Sequence, residues 1–203
     1  MERNQGQENL MRRSTLVIIF PDERTTLLPP SDNELIKDPA VKTYHDISIK
    51  LIERYKREGY QITALVYADT DKNHFSYIYP PEMFSEIIRS KLTYNRWKRK
   101  DYQDELLSLI PSCFEKSNLV AGGYHADDCV AIFVAAAREY GLSAKVDLKL
   151  TDKFTFLLIS HEARKMLTGN MLGDHRVDDT HIWKSFYESI EDTINTNRRN
   201  FSF

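Results

Sequence analysis

The sequence has little of what marks a secreted or membrane-spanning protein. It contains only two cysteines, Cys113 and Cys129, in 203 residues, which is too few for a disulfide framework and predicts reduced thiols. No uninterrupted apolar run approaches the roughly 20 residues that span a bilayer. The start MERNQGQENLMRR lacks the apolar core of a signal peptide. We therefore expect a cytoplasmic protein without a membrane segment.

An excess of charge of one sign is also missing. The 28 Lys and Arg residues against 30 Asp and Glu residues give a formal net charge of -2, so no overall attraction to nucleic acid or to an anionic membrane is expected. The nearest local basic patch is YNRWKRK, residues 94–100, in which Tyr94 and Trp97 are of a type that stacks on bases. Single-stranded nucleic-acid binding through this patch is therefore a disfavoured hypothesis.

Glycine and proline are too sparse to divide the chain. There are seven of each, and no stretch rich in Gly, Ser or Pro separates two halves. A chain of this length can bury one substantial core. Residues 1–13 are polar and charged, which predicts a flexible tail, and residues 14–203 are predicted to form a single α/β domain.

What the chain does contain is an alternation of apolar strand patterns with amphipathic helix patterns. The predicted strands are TLVIIF, QITALVYAD, NLVAGG, AKVDL and FTFLLI. The predicted helices cover residues 38–59, 129–141, 160–169 and 181–196. Residues 80–90 (PPEMFSEIIRS) and 101–110 (ending before Pro111) are predicted to form helices or helical turns. Gly59 and Gly141 are placed as helix stops. This order predicts a three-layer α/β/α sandwich with a mostly parallel sheet and right-handed crossovers.

Polar segments follow three of the predicted strands. FPDER, YADTDKNH and YHADDC each begin where an apolar run ends. Ligands in parallel α/β sheets collect at the carboxyl ends of the strands. We therefore expect the functional site at this edge of the sheet.

Cys129 lies between a predicted strand and a predicted helix, in GGYHADDCV. The unpaired N–H groups and the dipole of a first helical turn favour a thiolate. The adjacent Asp127 and Asp128 raise the thiol pKa unless they point away or pair with a cation. An inert buried thiol at the start of a core helix is the common alternative, and Cys113, which has no partner motif, is interpreted as structural.

Two blocks resemble the isochorismatase-like cysteine hydrolases, a family that includes nicotinamidases and related amidases. GYHADDCVAIFVAAAREYGL is similar to the family's block of a Gly-ended strand, a short turn with an Asp, and a Cys-Val helix of small residues. KLTYNRWKRKDYQDELLSLI is similar to its Lys block, with Lys91 placed 38 residues before Cys129. The resemblance covers about residues 14–160 and implies an isochorismatase-like fold.

The resemblance also implies site residues. By position, Cys129 is the nucleophile that attacks a carbonyl, and Lys91 is the cation that supports the charge. Phe20 stands where the family has an acid at the end of the first strand. Either Asp22, two residues later and on the same face of an extended strand, is the substitute base, or the catalytic carboxylate is missing. The resemblance further implies a cis peptide bond between Tyr124 and His125, which orients backbone donors toward the oxyanion.

Five positions of the same blocks are predicted to bind substrate: Tyr124, His125, Asp127, Trp97 and Phe20. His125 with Asp127 or Asp128 has the chemistry of a metal site, but the family's Asp-x-His motif is not clearly present. Asp69, Asp71 and His74 in DTDKNH have a different spacing. GDHRVDDTH, with His175, Asp178, Asp179 and His181, is interpreted as a helix cap. No metal and no cofactor are predicted.

The sequence thus predicts an isochorismatase-like hydrolase of amidase or nicotinamidase type, acting on a small amide or related carbonyl substrate and forming a homo-oligomer. The alternative is a catalytically inactive member of the family that serves as a ligand-binding or protein-interaction module. The aromatic residue at the end of the first strand favours that alternative. The identity of the substrate stays open.

Overall fold

The computed structural model describes residues 13–21, 39–70, 79–94, 96, 98–126, 128–152 and 180–203, and only the backbone of 39–47, 152 and 180–187. The predicted tail up to residue 12, the predicted strand FTFLLI and the predicted helix at 160–169 lie outside these residues. The described strands are β1 (Arg13–Ile19), β2 (Gln61–Val66), β3 (Glu86–Arg89), β4 (Ser117–Tyr124) and β5 (Ala144–Asp152). The described α-helices are α1 (Pro39–Arg57), α2 (Arg99–Phe114), α3 (Cys129–Glu139) and α4 (Thr180–Arg198).

The strands form one sheet in the order β3-β2-β1-β4-β5, and each neighbouring pair is parallel. The central strand β1 is almost entirely buried, as the continuous apolar run TLVIIF predicts for a strand that is covered on both faces. The predicted α/β fold with a parallel sheet is confirmed. β1 begins at Arg13, one residue before the predicted domain start.

Helices cover both faces of the sheet. Side chains of successive strand residues point to opposite faces. Val17 and Ile19 join the buried cluster that contains residues of α2, α3 and α4, whereas Leu16 and Ile18 join the cluster that contains Ile52 of α1. The three-layer arrangement is therefore as predicted. No helix among the described residues is long and apolar enough to cross a bilayer.

The prediction of a helix or helical turns for PPEMFSEIIRS is correct only for its first residues and wrong for the rest. Only Pro81–Met83 form a helical turn, of 3-10 type, and Glu86–Arg89 form β3. The β-branched Ile87 and Ile88 suit an extended chain, and β3 pairs in parallel with β2 along four residues. Hydrogen bonding to the open edge of β2 decides the conformation of a segment whose own periodicity is ambiguous.

The predicted helix end before Pro111 is also wrong, because α2 continues through Pro111 to Phe114. A proline inside a helix removes one hydrogen bond and costs about 3 kcal/mol. Ile110 and Phe114 on either side of it are buried at 0% and 2% exposure. Burial of two large apolar side chains contributes about 1.5–3 kcal/mol each, which offsets the cost of the proline.

Candidate active site

The carboxyl ends of the parallel strands bring several predicted site residues to one edge of the sheet. Phe20 follows β1, Lys91 lies two residues after the end of β3, and Tyr124 is the last residue of β4. Cys129 opens α3 at the same edge, five residues after Tyr124. The structure thus places this part of the candidate site where the strand pattern predicts it.

Cys129 is the first residue of α3 and is 3% exposed. The carbonyl oxygen of His125 accepts hydrogen bonds from the N–H groups of Asp128 and Val130, both at 3.1 Å. These two bonds make the turn between β4 and α3 compact. Cys129 also belongs to the buried cluster on the side of α2, α3 and α4, so its thiol combines a helix N-terminus with an enclosed apolar surrounding.

The peptide bond between Tyr124 and His125 is cis, as the resemblance implies. Tyr124 is 5% exposed and His125 is 6% exposed. The two rings pack edge to face with centroids 5.8 Å apart. Both residues lie at the carboxyl edge of the sheet, but their side chains are largely buried.

Phe20 fills the position at which the resemblance expects an acid. Its side chain is fully buried and stacks on Tyr67, with ring centroids 4.1 Å apart and an interplanar angle of 3°. It also lies against Tyr102 at 5.5 Å. Its φ of +47° is in the left-handed region, which costs a non-glycine residue about 1–2 kcal/mol. The aromatic packing offsets this cost, and the end of β1 presents a ring instead of a carboxylate.

Tyr102 connects α2 to the start of α3. Its hydroxyl donates a hydrogen bond to the carbonyl oxygen of Cys129 at 3.3 Å, and its ring is fully buried. Burial, followed by the negative charges of Cys129, Glu105 and Asp128, raises the pKa of Tyr102 well above its usual value. The phenol therefore stays protonated and acts as a donor.

Glu105 lies one helical turn after Tyr102 and contacts the segment that carries Lys91. Its Oε1 accepts a hydrogen bond from the Lys91 backbone N–H at 2.7 Å. Burial raises the pKa of the Glu105 carboxyl, while the Lys91 N–H group and the Lys91 ammonium lower it. The carboxylate and the lysine are therefore electrostatic neighbours.

Lys91 and Cys129 follow two strands, β3 and β4, that are not neighbours in the sheet. In the order β3-β2-β1-β4, their strands are three spacings apart, which is about 14 Å at the usual strand separation. The Lys91 side chain is exposed. The structure brings Lys91 to Glu105 and Cys129 to Tyr102, and α2 connects the two pairs.

Asp22, Asp127 and Trp97 lie outside the described residues, so their assignments stay predictions. Of the basic patch around Trp97, Arg96, Lys98, Arg99 and Lys100 are exposed. Tyr94 packs edge-on against Tyr67 at 5.4 Å. This packing uses the ring that the nucleic-acid hypothesis assigns to stacking on a base.

Within the described part of the chain, no three His, Cys, Asp or Glu side chains are grouped to hold a metal ion. Asp69 of the segment DTDKNH accepts a hydrogen bond from the Tyr94 N–H at 3.1 Å. This bond gives Asp69 a structural contact at the end of β2. Asp71, His74 and the residues of GDHRVDDTH before Thr180 lie outside the described residues.

The sequence patterns missed Tyr102 and Glu105. The signal that was present is their position in DYQDELLSLI, where Tyr102, Leu106 and Leu109 form the buried face of α2. Glu105 follows Tyr102 by three residues, so a carboxylate borders that face. Which partners it meets depends on how α2 packs on the sheet.

The solved structures that are similar to this chain include two YcaC proteins. The YcaC gene product of Escherichia coli, described as an octameric hydrolase of unknown specificity, is 13% identical with a TM-score of 0.42, over 79% of this chain and 72% of that one. YcaC from Pseudomonas aeruginosa, solved with hexane-2,5-diol and covalent acrylamide, is 14% identical with a TM-score of 0.38, over 79% and 73%. No family model matches the sequence, and no curated protein matches it significantly. Similarity at this level carries no argument about activity.

Proposed function

We propose that this protein is an isochorismatase-like hydrolase that cleaves a small amide or a related carbonyl compound, with Cys129 as the nucleophile. The observation that carries the proposal is the position of Cys129, which is the first residue of a helix at the carboxyl edge of a parallel sheet. A helix N-terminus stabilises a thiolate. The sequence block around Cys129 supports the same assignment.

In the proposed reaction, the Cys129 thiolate attacks the substrate carbonyl carbon. The C–N bond then breaks, the amine leaves with a proton, and a thioester remains on the sulfur. Water hydrolyses the thioester to a carboxylic acid and restores the thiol. Lys91 supports the negative charge and Asp22 carries the proton, while the five predicted substrate-binding residues hold the substrate. The reaction requires no cofactor.

The second candidate is a catalytically inactive protein that binds a ligand or a protein partner. Two observations favour it. The ring of Phe20 occupies the end of β1 in place of an acid, and Cys129 is enclosed at 3% exposure. Chemically inert thiols are typical of such apolar surroundings.

The experiment that separates the two candidates measures ammonia release from a panel of small primary amides that includes nicotinamide. We expect hydrolysis of at least one amide, and Cys129→Ala is expected to lower its rate by roughly 1,000-fold or more. Cys113→Ala removes the exposed thiol and is expected to leave the rate unchanged. Hydrolysis that persists in Cys129→Ala would refute the nucleophile, and inactivity on every amide would favour the second candidate.

The same assay tests Lys91 against a matched lysine. Lys91→Ala is expected to lower the rate by roughly 100-fold if the ammonium stabilises developing charge. Lys116 is also exposed, but its carbonyl accepts a hydrogen bond from the N–H of Arg13 at the amino edge of the sheet. Lys116→Ala should therefore keep the wild-type rate.

A further inference from the structure

The described end of β1 supplies no carboxylate to the candidate site. Phe20 is fully buried between Tyr67 and Tyr102, and Pro21 follows it. A thiol that gives up its proton needs a general base within reach, and a carboxylate can take that role. The helices that cover this edge of the sheet are the next source of such a carboxylate.

Glu105 of α2 has the contacts of such a group. Its Oε1 is bonded to the Lys91 N–H at 2.7 Å. Among the described residues, its Oε2 is buried and makes no hydrogen bond. A buried carboxylate oxygen without a donor is costly.

Glu105 is also connected to the thiol side of the site. Tyr102, three residues before it on α2, donates its hydroxyl hydrogen to the carbonyl oxygen of Cys129 at 3.3 Å. Residues three apart on a helix are neighbours on its surface. Tyr102 thus links the part of α2 that carries Glu105 to the residue that carries the thiol.

We propose that Glu105 is the positioning carboxylate of the candidate site, which holds the Lys91 turn beside α2 and supplies a negative charge that the described end of β1 does not supply. Through its backbone bond it keeps the exposed Lys91 side chain on the side of the sheet that α2 and α3 cover. Through its charge it takes part in the proton equilibrium of the Cys129 thiol. This inference rests on the proposed function.

The experiment titrates the Cys129 thiol by NMR of cysteine labelled with ¹³C at Cβ, in a Cys113→Ser background that removes the second signal. Glu105→Gln keeps an oxygen that accepts the Lys91 N–H bond and removes only the charge. Because a nearby carboxylate disfavours the thiolate, we expect Glu105→Gln to lower the thiol pKa by about 0.5 unit or more. Glu105→Asp keeps the charge and is expected to stay closer to the wild-type value.

Asp104 provides the matched control, since it is an exposed acid on the same helix. Asp104→Asn should change the thiol pKa by less than about 0.2 unit, because solvent screens exposed charges. If Glu105 only held the Lys91 turn, the thiol pKa of Glu105→Gln would equal the wild-type value. This result would overturn the proposal. A thiol that does not titrate below pH 10 in any of the proteins would overturn it as well.

Failure of this inference and failure of the proposed function give different results. The function is judged from Cys129-dependent amide hydrolysis, and Glu105 is judged from the difference between two titrations. Hydrolysis with no titration difference overturns the role of Glu105 alone. A titration difference without hydrolysis overturns the hydrolase, and the charge coupling of Glu105 to Cys129 stands.

Discussion

At the scale of single residues, Gly123 decides how closely β1 and β4 approach next to the candidate site. It lies one residue before the Tyr124–His125 bond and has a φ of +108°. A Cβ atom there would overlap the backbone N and O atoms of Ile19 on the neighbouring strand. Backbone atoms of a central strand cannot move aside, so only glycine fits.

We expect Gly123→Ala to lower the free energy of unfolding by more than roughly 4 kcal/mol, or to prevent folding. Gly59 is the control, because it has a φ of +84° but no atom within 4 Å of the position that an alanine methyl group would take. Gly59→Ala should cost only the left-handed backbone strain of about 1–2 kcal/mol. Urea unfolding of the two variants checks this, and equal losses would contradict the predicted overlap.

At the scale of elements, two ion pairs between described side chains join α3 to α4. Arg138 contacts Glu191 with both terminal guanidinium nitrogens, at 2.6 and 3.0 Å, and donates from Nε to the carbonyl oxygen of Ala144 at 2.8 Å. Its side chain is 23% exposed. The second pair, Arg198 with Glu139, has one contact at 3.1 Å and is 43% and 37% exposed. Only Arg138, which is partly buried, connects three elements, because it bonds from α3 to Glu191 of α4 and to Ala144 of β5.

We expect Arg138→Ala to cost about 2 kcal/mol of stability, because it removes three charge-assisted hydrogen bonds from a partly buried position. Arg198→Ala should cost less than about 0.5 kcal/mol, as exposed pairs do. Denaturant unfolding of both variants measures the difference. Similar losses of unfolding free energy in the two variants would show that the bonds of Arg138 do not hold α4 in place.

At the scale of the whole molecule, two buried clusters share one sheet. Ile52 of α1 belongs to one cluster and Phe133 of α3 to the other, and both side chains are fully buried. Phe133 also packs edge to face on Phe114 with centroids 5.6 Å apart. The same strands contribute side chains to both clusters, and the single domain stays a prediction. The predicted homo-oligomer and cytoplasmic location stay predictions.

We expect the two layers to unfold together. Phe133→Ala should cost about 3–5 kcal/mol and Ile52→Ala about 2–5 kcal/mol, each within a single transition that is the same by circular dichroism and by fluorescence. The midpoint of the unfolding transition should decrease in both variants. If Ile52→Ala separated the two signals, the α1 layer would be an independent unit and the single domain would be wrong.

Much of the fold was predictable because the signals are local. The continuous β-branched run of β1 and the small-residue pattern of α3 each depend on neighbours within a few residues. The position of Cys129 at the start of α3 follows from the same two patterns. The cis bond between Tyr124 and His125 was predictable only through the resemblance, since nothing in those two residue types requires it.

The errors and omissions have a common cause in long-range contacts. The segment Glu86–Arg89 became a strand because β2 offered it an unpaired edge, and α2 passed Pro111 because burial on the sheet outweighs one lost hydrogen bond. The contact between Glu105 and Lys91 spans 14 residues, and that between Tyr102 and Cys129 spans 27.

By itself, the sequence determined that this chain forms a parallel α/β sheet and that a cysteine begins a helix at the carboxyl edge, because hydrophobic periodicity and helix stops act over a few residues. Only the tertiary structure decided that an aromatic ring closes the end of β1 and that a glutamate of α2 meets the Lys91 turn. Those contacts depend on the packing of a helix against a completed sheet, where the burial of whole faces outweighs the preference of any single residue.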